Sequence, residues 1–487
     1  MCRPAENGGR RCNKHNAYGV MKRNLQAQKQ YHAHKLENST LTDEKRSKSE
    51  AILAEVTEQL NSLTAERKEL GVVKAFTMPL TPSAERVISQ LESDGFSPYV
   101  VGGSVRDALL GLDSKDVDIE VYGGDADSVA NSLRRIGKVD EVGKSFGVLK
   151  IRIGKEDFDV SLPRIDSKIG DGHRGFDIEV NPNLSLEEAT ARRDFTINAL
   201  MYSHRLGFII DKHNGLKDME DKKLRHVSDA FDEDPLRVLR GVQMASRFGM
   251  DLHEDTIVKA RTLQTSYKDL AIERVQMEFQ KLYDKGKRPD KALKLLKETS
   301  WEKNFAGLEN VNDKDLQRKA RRMQELHDKG LVPKGKMTTL LSATLAHRMD
   351  DKNRYKFLAD TTVGSEVKNA AYNITNLQLP RKQGKNALRN WAYDMPRNVS
   401  IRDWALFEMA TGDSEKAETV LAKAEKLGIA DHPEKDIVTG NDLMQVFPER
   451  KPGPWMKEAL GKARNAQYAN LFRDSTSGIN WMKSNIS

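Results

Sequence analysis

Val100-Val101-Gly102-Gly103-Ser104-Val105-Arg106-Asp107, followed ten residues beyond Arg106 by Asp116-Val117-Asp118, is the stretch that decides how this chain folds. An apolar strand ends in a Gly-Gly-Ser turn, and a helix is expected to start near Val105. Such a turn aims backbone N–H groups of Gly102, Gly103 and Ser104 at a phosphate, and Arg106 adds a fork-shaped cation. A Gly-Gly-Ser turn alone is also an ordinary reversal of the chain. The two aspartates sit two residues apart in an expected strand, so both side chains share one face and repel unless a cation lies between them. Asp-x-Asp also occurs at Asp125/Asp127, Asp157/Asp159, Asp232/Asp234 and Asp313/Asp315, so context has to discriminate. Asp159, in the alternating run Phe158-Asp159-Val160-Ser161-Leu162, is placed to be a third acid of a two-metal site, although a solvated strand residue has the same spacing.

Outward from this stretch, short apolar or alternating runs fill residues 98–227. Tyr99 to Val101, Val117 to Val121, Val148 to Ile153, Phe158 to Leu162 and Phe208 to Ile210 are separated by Gly, Asp and Asn, which is strand-and-turn texture. Beyond Asp234 the pattern is helical to the end, interrupted at Pro289, Pro333, Pro380, Pro396 and Pro448. Upstream, Ile52, Leu53, Val56, Leu60 and Leu63 recur at three- and four-residue steps, predicting an amphipathic helix within Thr42 to Ala75. Residues 1–45 show neither period and are expected to be a basic, largely disordered tail. Cys2, Cys12 and His15, with His32 or His34, could hold zinc, but the spacing is unfamiliar and incidental thiols explain it better. The expectation is an α/β head with an all-helical body, divided into a tail (1–45), a helical segment (46–79), a head (80–215), a helical neck (216–285), and a helical body and tail (286–487).

Further motifs follow in order: Arg192-Arg193-Asp194-Phe195-Thr196-Ile197-Asn198-Ala199, Asn214-Gly215-Leu216-Lys217-Asp218 and Glu233-Asp234-Pro235-Leu236-Arg237. With Gly102 to Gly111 and Asp116-Val117-Asp118, they resemble the motifs of the class II CCA-adding enzyme and bacterial poly(A) polymerase family, within the DNA polymerase β-like nucleotidyltransferases. The resemblance covers about residues 80–285. It implies a nucleotidyltransferase head with a mixed sheet, followed by a helical neck, body and tail. It also implies that Asp116, Asp118 and Asp159 hold Mg²⁺, two ions being expected, and that Arg193, Asp194 and Asn198 hold ribose and triphosphate. Asp159 falls where the family pattern has Glu, one methylene longer. Helix capping and surface ion pairs are the plainer alternatives for Arg193, Asp194 and Asn198.

On a helix, Asp234, Arg237 and Arg240 would fall within roughly 120° of one face, opposite Leu236, Leu239 and Val242. Cytosine and adenine each present an exocyclic amine beside an unprotonated ring nitrogen. A carboxylate can accept from the first while a guanidinium donates to the second; uracil and guanine reverse the order. The resemblance therefore implies CTP and ATP as substrates and an RNA 3′ end as acceptor. Val438-Thr439-Gly440-Asn441-Asp442-Leu443 and Lys451-Pro452-Gly453-Pro454-Trp455 look like C-terminal elements of CCA-adding enzymes, which favours tRNA over poly(A) addition. Basic clusters at Arg318-Lys319/Arg321-Arg322 and Arg381-Lys382/Lys385 could track a phosphate backbone.

Composition permits this and excludes other classes. The 487 residues are 38% apolar and 31% charged, with a net charge of +8 and a mean hydropathy of -0.66. Residues 1–50 carry a net +6 of that charge, so the remainder is nearly neutral. No run of about 18 apolar residues is present, so no membrane span is expected. Two cysteines exclude a disulfide framework, and a cytoplasmic location is expected.

Overall fold

The computed structural model describes residues 17–37, 41–114, 116–143, 147–168, 176–310, 313–381 and 384–486. Two compact units emerge: residues 1–238 with 250–270, and residues 239–249 with 271–487.

The first unit is built on an eight-stranded sheet. Its strands are β1 (Val72–Ala75), β2 (Ser97–Val101), β3 (Asp118–Tyr122), β4 (Lys138–Asp140), β5 (Val148–Ile153), β6 (Glu156–Ser161), β9 (Met201–Ser203) and β10 (Phe208–Ile210), in the order β1-β10-β9-β2-β3-β6-β5-β4. The intervening β7 (Arg164–Lys168) and β8 (Phe176–Val180) form a separate antiparallel hairpin. The β3–β6 pair is parallel and the other pairs are antiparallel, so the sheet is mixed. Alternation sets its two faces. Ile119 and Val121 of β3 point into one core with Val100, Leu149, Ile151 and Val160. That core is closed by Val87, Ile88 and Leu91 of helix α3 (Pro82–Ser93) and by Val129 and Leu133 of helix α5 (Ala126–Arg134). The opposite face carries a smaller core of Tyr99, Val101, Tyr122, Leu184, Ala189, Met201 and Ile210. Asp118 and Glu120 lie on this second face, between the sheet and the segment after helix α6 (Leu186–Ala191). Every strand run read from the sequence is found within one residue or two of its expected limits.

Three local expectations are corrected. Residues 17–36, expected to be disordered, form helix α1 (Ala17–Leu36), which packs along helix α2 (Asp43–Leu70). Its composition of Ala, Gln, Lys and Leu is helix-prone, and Leu25 finds an apolar seat beside Leu206 and Phe208. The amphipathic helix stops at Leu70 because Gly71 turns left-handed, with φ of 66°, and the β-branched pair Val72-Val73 continues as edge strand β1. Asp116 and Val117 precede β3 instead of lying within it, although Val117 is buried and Asp116 exposed, so the in-out alternation already holds there. Cys2, Cys12 and His15 lie outside the described residues. Among the described residues no helix is long and apolar enough to cross a membrane.

The unit boundary falls within helix α8 (Leu236–Phe248). The second unit is helical. The prolines expected to interrupt it do so at helix boundaries: Pro289 opens the helix Pro289–Glu298, and Pro333, Pro380, Pro396 and Pro448 fall between helices. The helix Met337–Ala346 is buried along its whole length and serves as the hub of this unit. Ahead of it, the helix Asp313–Asp328 presents Lys319, only 3% exposed, whose Nζ lies 2.7 Å from Asp315 Oδ2 and 3.0 Å from His347 Nε2. His347 Nδ1 donates to the Thr344 carbonyl at 2.9 Å, so Nε2 is the acceptor from Lys319. Arg318 pairs with Asp315, while Arg321 donates to the Lys287 carbonyl and pairs with Glu325. Of the first basic cluster, Lys319 is thus spent inside the protein, whereas Arg318 and Arg322 are exposed. Of the second cluster, Lys382 lies outside the described residues.

This arrangement has a pH consequence. Burial, with the Lys319 ammonium next, pulls His347 down to about 4. The folded protein keeps this imidazole neutral, whereas the unfolded chain takes a proton below about 6.5. The contribution is therefore complete above pH 6.5 and is lost as pH falls from there towards 4. Because the ring is partly open to solvent, we expect a loss of about 1–2 kcal/mol of stability from this residue between those limits. Urea titrations at pH 7.5 and 5 should show a smaller drop in His347→Gln than in wild type; equal drops would refute the assignment.

Candidate active site

The site starts at the end of β2. Gly102 has φ 74° and ψ −136°, a conformation open to glycine alone, and it caps the seven-residue helix Gly103–Leu109 without offering a side chain to the first-turn amides. A Cβ built on Gly102 would lie 3.1 Å from Arg193 Nη1 and 3.8 Å from Asp118 Oδ2. The turn, an arginine fork and a carboxylate therefore converge at one point. Ser104 turns its hydroxyl back to the Val101 carbonyl at 3.2 Å.

Strand register supplies the acids. Asp118 is paired with Val101 on β2 and with Asp159 on β6. Although Asp118 keeps an exposed edge, desolvation by its surroundings pushes its carboxyl above the usual carboxylate range; Arg193 opposes the shift, and Asp159 and then Asp116 add to it by repulsion. Asp159 is partly offset by Lys150, its register partner on β5, at 3.1 Å.

Glu120, two residues beyond Asp118 on the same face, went unremarked in the sequence although the period that linked Asp116 to Asp118 extends to it. It is fully buried. Tyr122 donates its hydroxyl to Oε1 at 2.6 Å, and Oε2 accepts from Arg192 Nη2 at 3.2 Å and Arg193 Nη2 at 3.4 Å. Burial and the Glu120 charge push the Tyr122 phenol far up, so it remains a donor.

Next to these lies a buried polar chain. Arg106 donates Nε and Nη2 to Asp107 Oδ1 at 2.8 and 2.6 Å, and Nη1 to Asn198 Oδ1 at 2.6 Å. Asn198 Nδ2 donates to Asp194 Oδ1 at 2.8 Å, which also accepts the Phe195 N–H at 2.8 Å. Arg106, expected as a cation facing phosphate, instead ties the helix after the glycine turn to the Arg-Arg-Asp segment. The Asn214–Asp218 motif braces this segment from behind: Thr196 donates to Asp218 Oδ2 at 2.7 Å, and Gly215 packs so closely that a Cβ there would lie 2.3 Å from the Thr196 carbonyl oxygen.

Arg237 donates Nη1 to the Ala230 carbonyl at 2.7 Å and Nη2 to the Arg192 carbonyl at 2.8 Å, which fixes the plane of its guanidinium beside the Arg-Arg-Asp segment. Asp234 has extended backbone, with φ −128° and ψ 95°, and its Oδ1 accepts the Leu236 N–H at 3.2 Å. It stands ahead of α8 and not on its face, because Pro235 cannot follow a helical residue comfortably. Arg240 lies in the second unit.

Among the described residues no three His, Cys, Asp or Glu side chains form a ready-made metal cage. Mg²⁺ does not require one, since it is held by one or two carboxylates with water and substrate phosphates completing the shell. The crowded Asp118, with Asp159 across the strand pair and Asp116 two residues before it, is a donor set of that kind.

A mixed sheet that carries neighbouring acids beside a glycine turn under an arginine is the layout expected of a nucleotidyltransferase head. Residues 98–225 match the family model of the poly A polymerase head domain. Curated proteins similar to the chain include multifunctional CCA proteins and CCA-adding enzymes. A multifunctional CCA protein of Aliivibrio salmonicida is 40% identical over 205 residues, covering 41% of this chain and 48% of that protein. The CCA-adding enzyme of Oceanobacillus iheyensis is 28% identical over 386 residues, covering 77% and 90%. The first match thus spans about half the relative's length and the second nearly all of it. In fold, the chain resembles the Bacillus stearothermophilus CCA-adding enzyme in complex with CTP, with a TM-score of 0.61, 24% identity and coverage of 83% and 98%. It also resembles the Thermotoga maritima CCA-adding enzyme complexed with tRNA, with a TM-score of 0.60, 18% identity and coverage of 84% and 97%.

Proposed function

We propose that this protein is a template-independent tRNA nucleotidyltransferase that adds CCA to the tRNA 3′ end from CTP and ATP. The observation that carries the reading is the direct register of Asp118 with Asp159 beside the Gly102 turn under Arg193. Asp116, Asp118 and Asp159 would hold Mg²⁺, as two ions. When bound, the metal would lower the pKa of the primer 3′-hydroxyl and neutralise charge on the nucleotide phosphates. The chain's own groups do the positioning. Arg193, with the uncapped amides of the Gly102–Gly103–Ser104 turn, receives the triphosphate, and Asp194 with Asn198 fixes the ribose.

Base choice falls to Asp234 and Arg237, through the acceptor-donor order shared by cytosine and adenine. Arg237→Lys keeps the charge but not the fork, so the preference for CTP over UTP is expected to fall by about tenfold or more while RNA affinity stays within about twofold. Competition between labelled CTP and UTP reads this ratio, and an unchanged ratio would remove Arg237 from base choice.

The names of the relatives favour CCA over poly(A) addition, as do the C-terminal elements. Thr439 and Asp442 there form a reciprocal capping box, a structural duty that both kinds of enzyme could share. Extension of tRNA lacking CCA, and of an unrelated RNA, with CTP plus ATP in Mg²⁺ tests the choice. Addition of C, C and A to tRNA alone is expected. A long A ladder on both RNAs would transfer the assignment to poly(A) polymerase.

A further inference from the structure

We infer that Glu120 is a positioning residue for triphosphate binding, holding the Arg193 guanidinium at the glycine turn with Arg192 on the same carboxylate oxygen; the inference rests on the nucleotidyltransferase reading above. Three observations lead to it. Glu120 is a fully buried carboxylate at the centre of the sheet, on the face that carries Asp118. It is held by Tyr122 on its own strand and accepts from both arginines through one oxygen. The fork of Arg193 is thereby divided. Nη2 is drawn to Glu120, Nη1 stands over Gly102, and Nε is buried with no hydrogen-bond partner among the described residues.

Physical chemistry explains why an anion belongs there. Two guanidiniums that converge on one point repel in a partly dry site, and a buried charge without a partner is costly. A single carboxylate between them resolves the repulsion and leaves the group with a net positive charge, directed at the turn where a polyphosphate would lie. Asp or Glu elsewhere would neutralise the arginines without fixing them. The Tyr122 hydroxyl, kept protonated, pins the carboxylate through its other oxygen.

This role can be separated from a simple field effect by its sign. Removing the Glu120 charge makes the site one unit more positive, so a purely electrostatic contribution predicts tighter anion binding. A positioning contribution predicts weaker binding, because the arginines separate and the fork leaves the turn.

The test measures the affinity of the full-length protein for inorganic tripolyphosphate and for CTP, with Mg²⁺ present, by displacement of a fluorescent nucleotide. Wild type is compared with Glu120→Gln and Glu120→Asp. KM for CTP and for RNA is measured alongside, with circular dichroism to check folding. We expect Glu120→Gln to weaken both anions and raise KM for CTP by about tenfold, with KM for RNA within about twofold. Glu120→Asp retains the charge but withdraws it by one methylene and should fall between. If Glu120→Gln does not fold, Glu120→Asp decides alone, and a loss of about threefold or more with intact RNA binding supports the role. Folded variants that bind tripolyphosphate as tightly as wild type, or tighter, would overturn it. A wild-type protein that binds neither tripolyphosphate nor CTP would overturn the nucleotidyltransferase reading and this inference together.

Discussion

Asp118→Asn is expected to reduce nucleotide transfer by about a thousandfold or more while the protein keeps its fold and melts no earlier than wild type. The activity loss follows from the position of this carboxylate, in register with Asp159 and against the glycine turn, where no other described acid can substitute for it at the same point. The stability expectation has a separate cause. Asp118 is pushed above the usual carboxylate range by desolvation and by repulsion from Asp159 and Asp116, and only Arg193 opposes this. An amide of the same shape removes the repulsion, offsetting what is lost with Arg193. Single-turnover incorporation of labelled CTP together with a thermal melt checks both halves. Near wild-type turnover would remove Asp118 from catalysis, and a large fall in melting temperature would make it a structural residue.

Gly215→Ala is expected to be the opposite kind of variant, destabilising first and inactive as a result. The added methyl would meet the Thr196 carbonyl oxygen at 2.3 Å and its carbon at 2.8 Å, and both belong to main chain that cannot rotate away. Relief requires the turn Thr196–Asn198 to separate from the helix Gly215–Glu220, which disturbs the Thr196–Asp218 bond and the Asn198–Asp194 pair in front of it. Overpacking of this kind costs about 2–4 kcal/mol. A denaturant melt should show that loss, with KM for CTP rising in the fraction that remains folded. Wild-type stability would mean that the two segments are not held as closely as this.

The sheet was legible because its strands alternate cleanly: Val148 to Ile153 and Phe208 to Ile210 announce themselves by β-branched and aromatic side chains between turns. Helix α1 was not, since its stability comes from packing on α2 and on Leu206 and Phe208, contacts that no local period records. In the site, the two-residue period that puts Asp116 and Asp118 on one face also reaches Glu120. That residue was passed over because a third acid on a strand otherwise flanked by Ile119 and Val121 looks like a solvated position until its arginine partners are seen. Arg106 shows the other limit of a reading by charge. Its charge suggested phosphate, but a guanidinium beside Asp107 and within reach of Asn198 is satisfied inside the protein. Motif residues thus divide into those that face the site and those that brace it, and spacing alone does not separate the two.

The central claim is that this head transfers nucleotides to tRNA, and pyrophosphate release tests it most directly. With excess CTP and ATP, Mg²⁺ and tRNA lacking its CCA end, the account predicts release that stops after one pyrophosphate for each of C, C and A, and no release when the metal is chelated. Release that never begins, or that continues without limit on ATP alone, would contradict it.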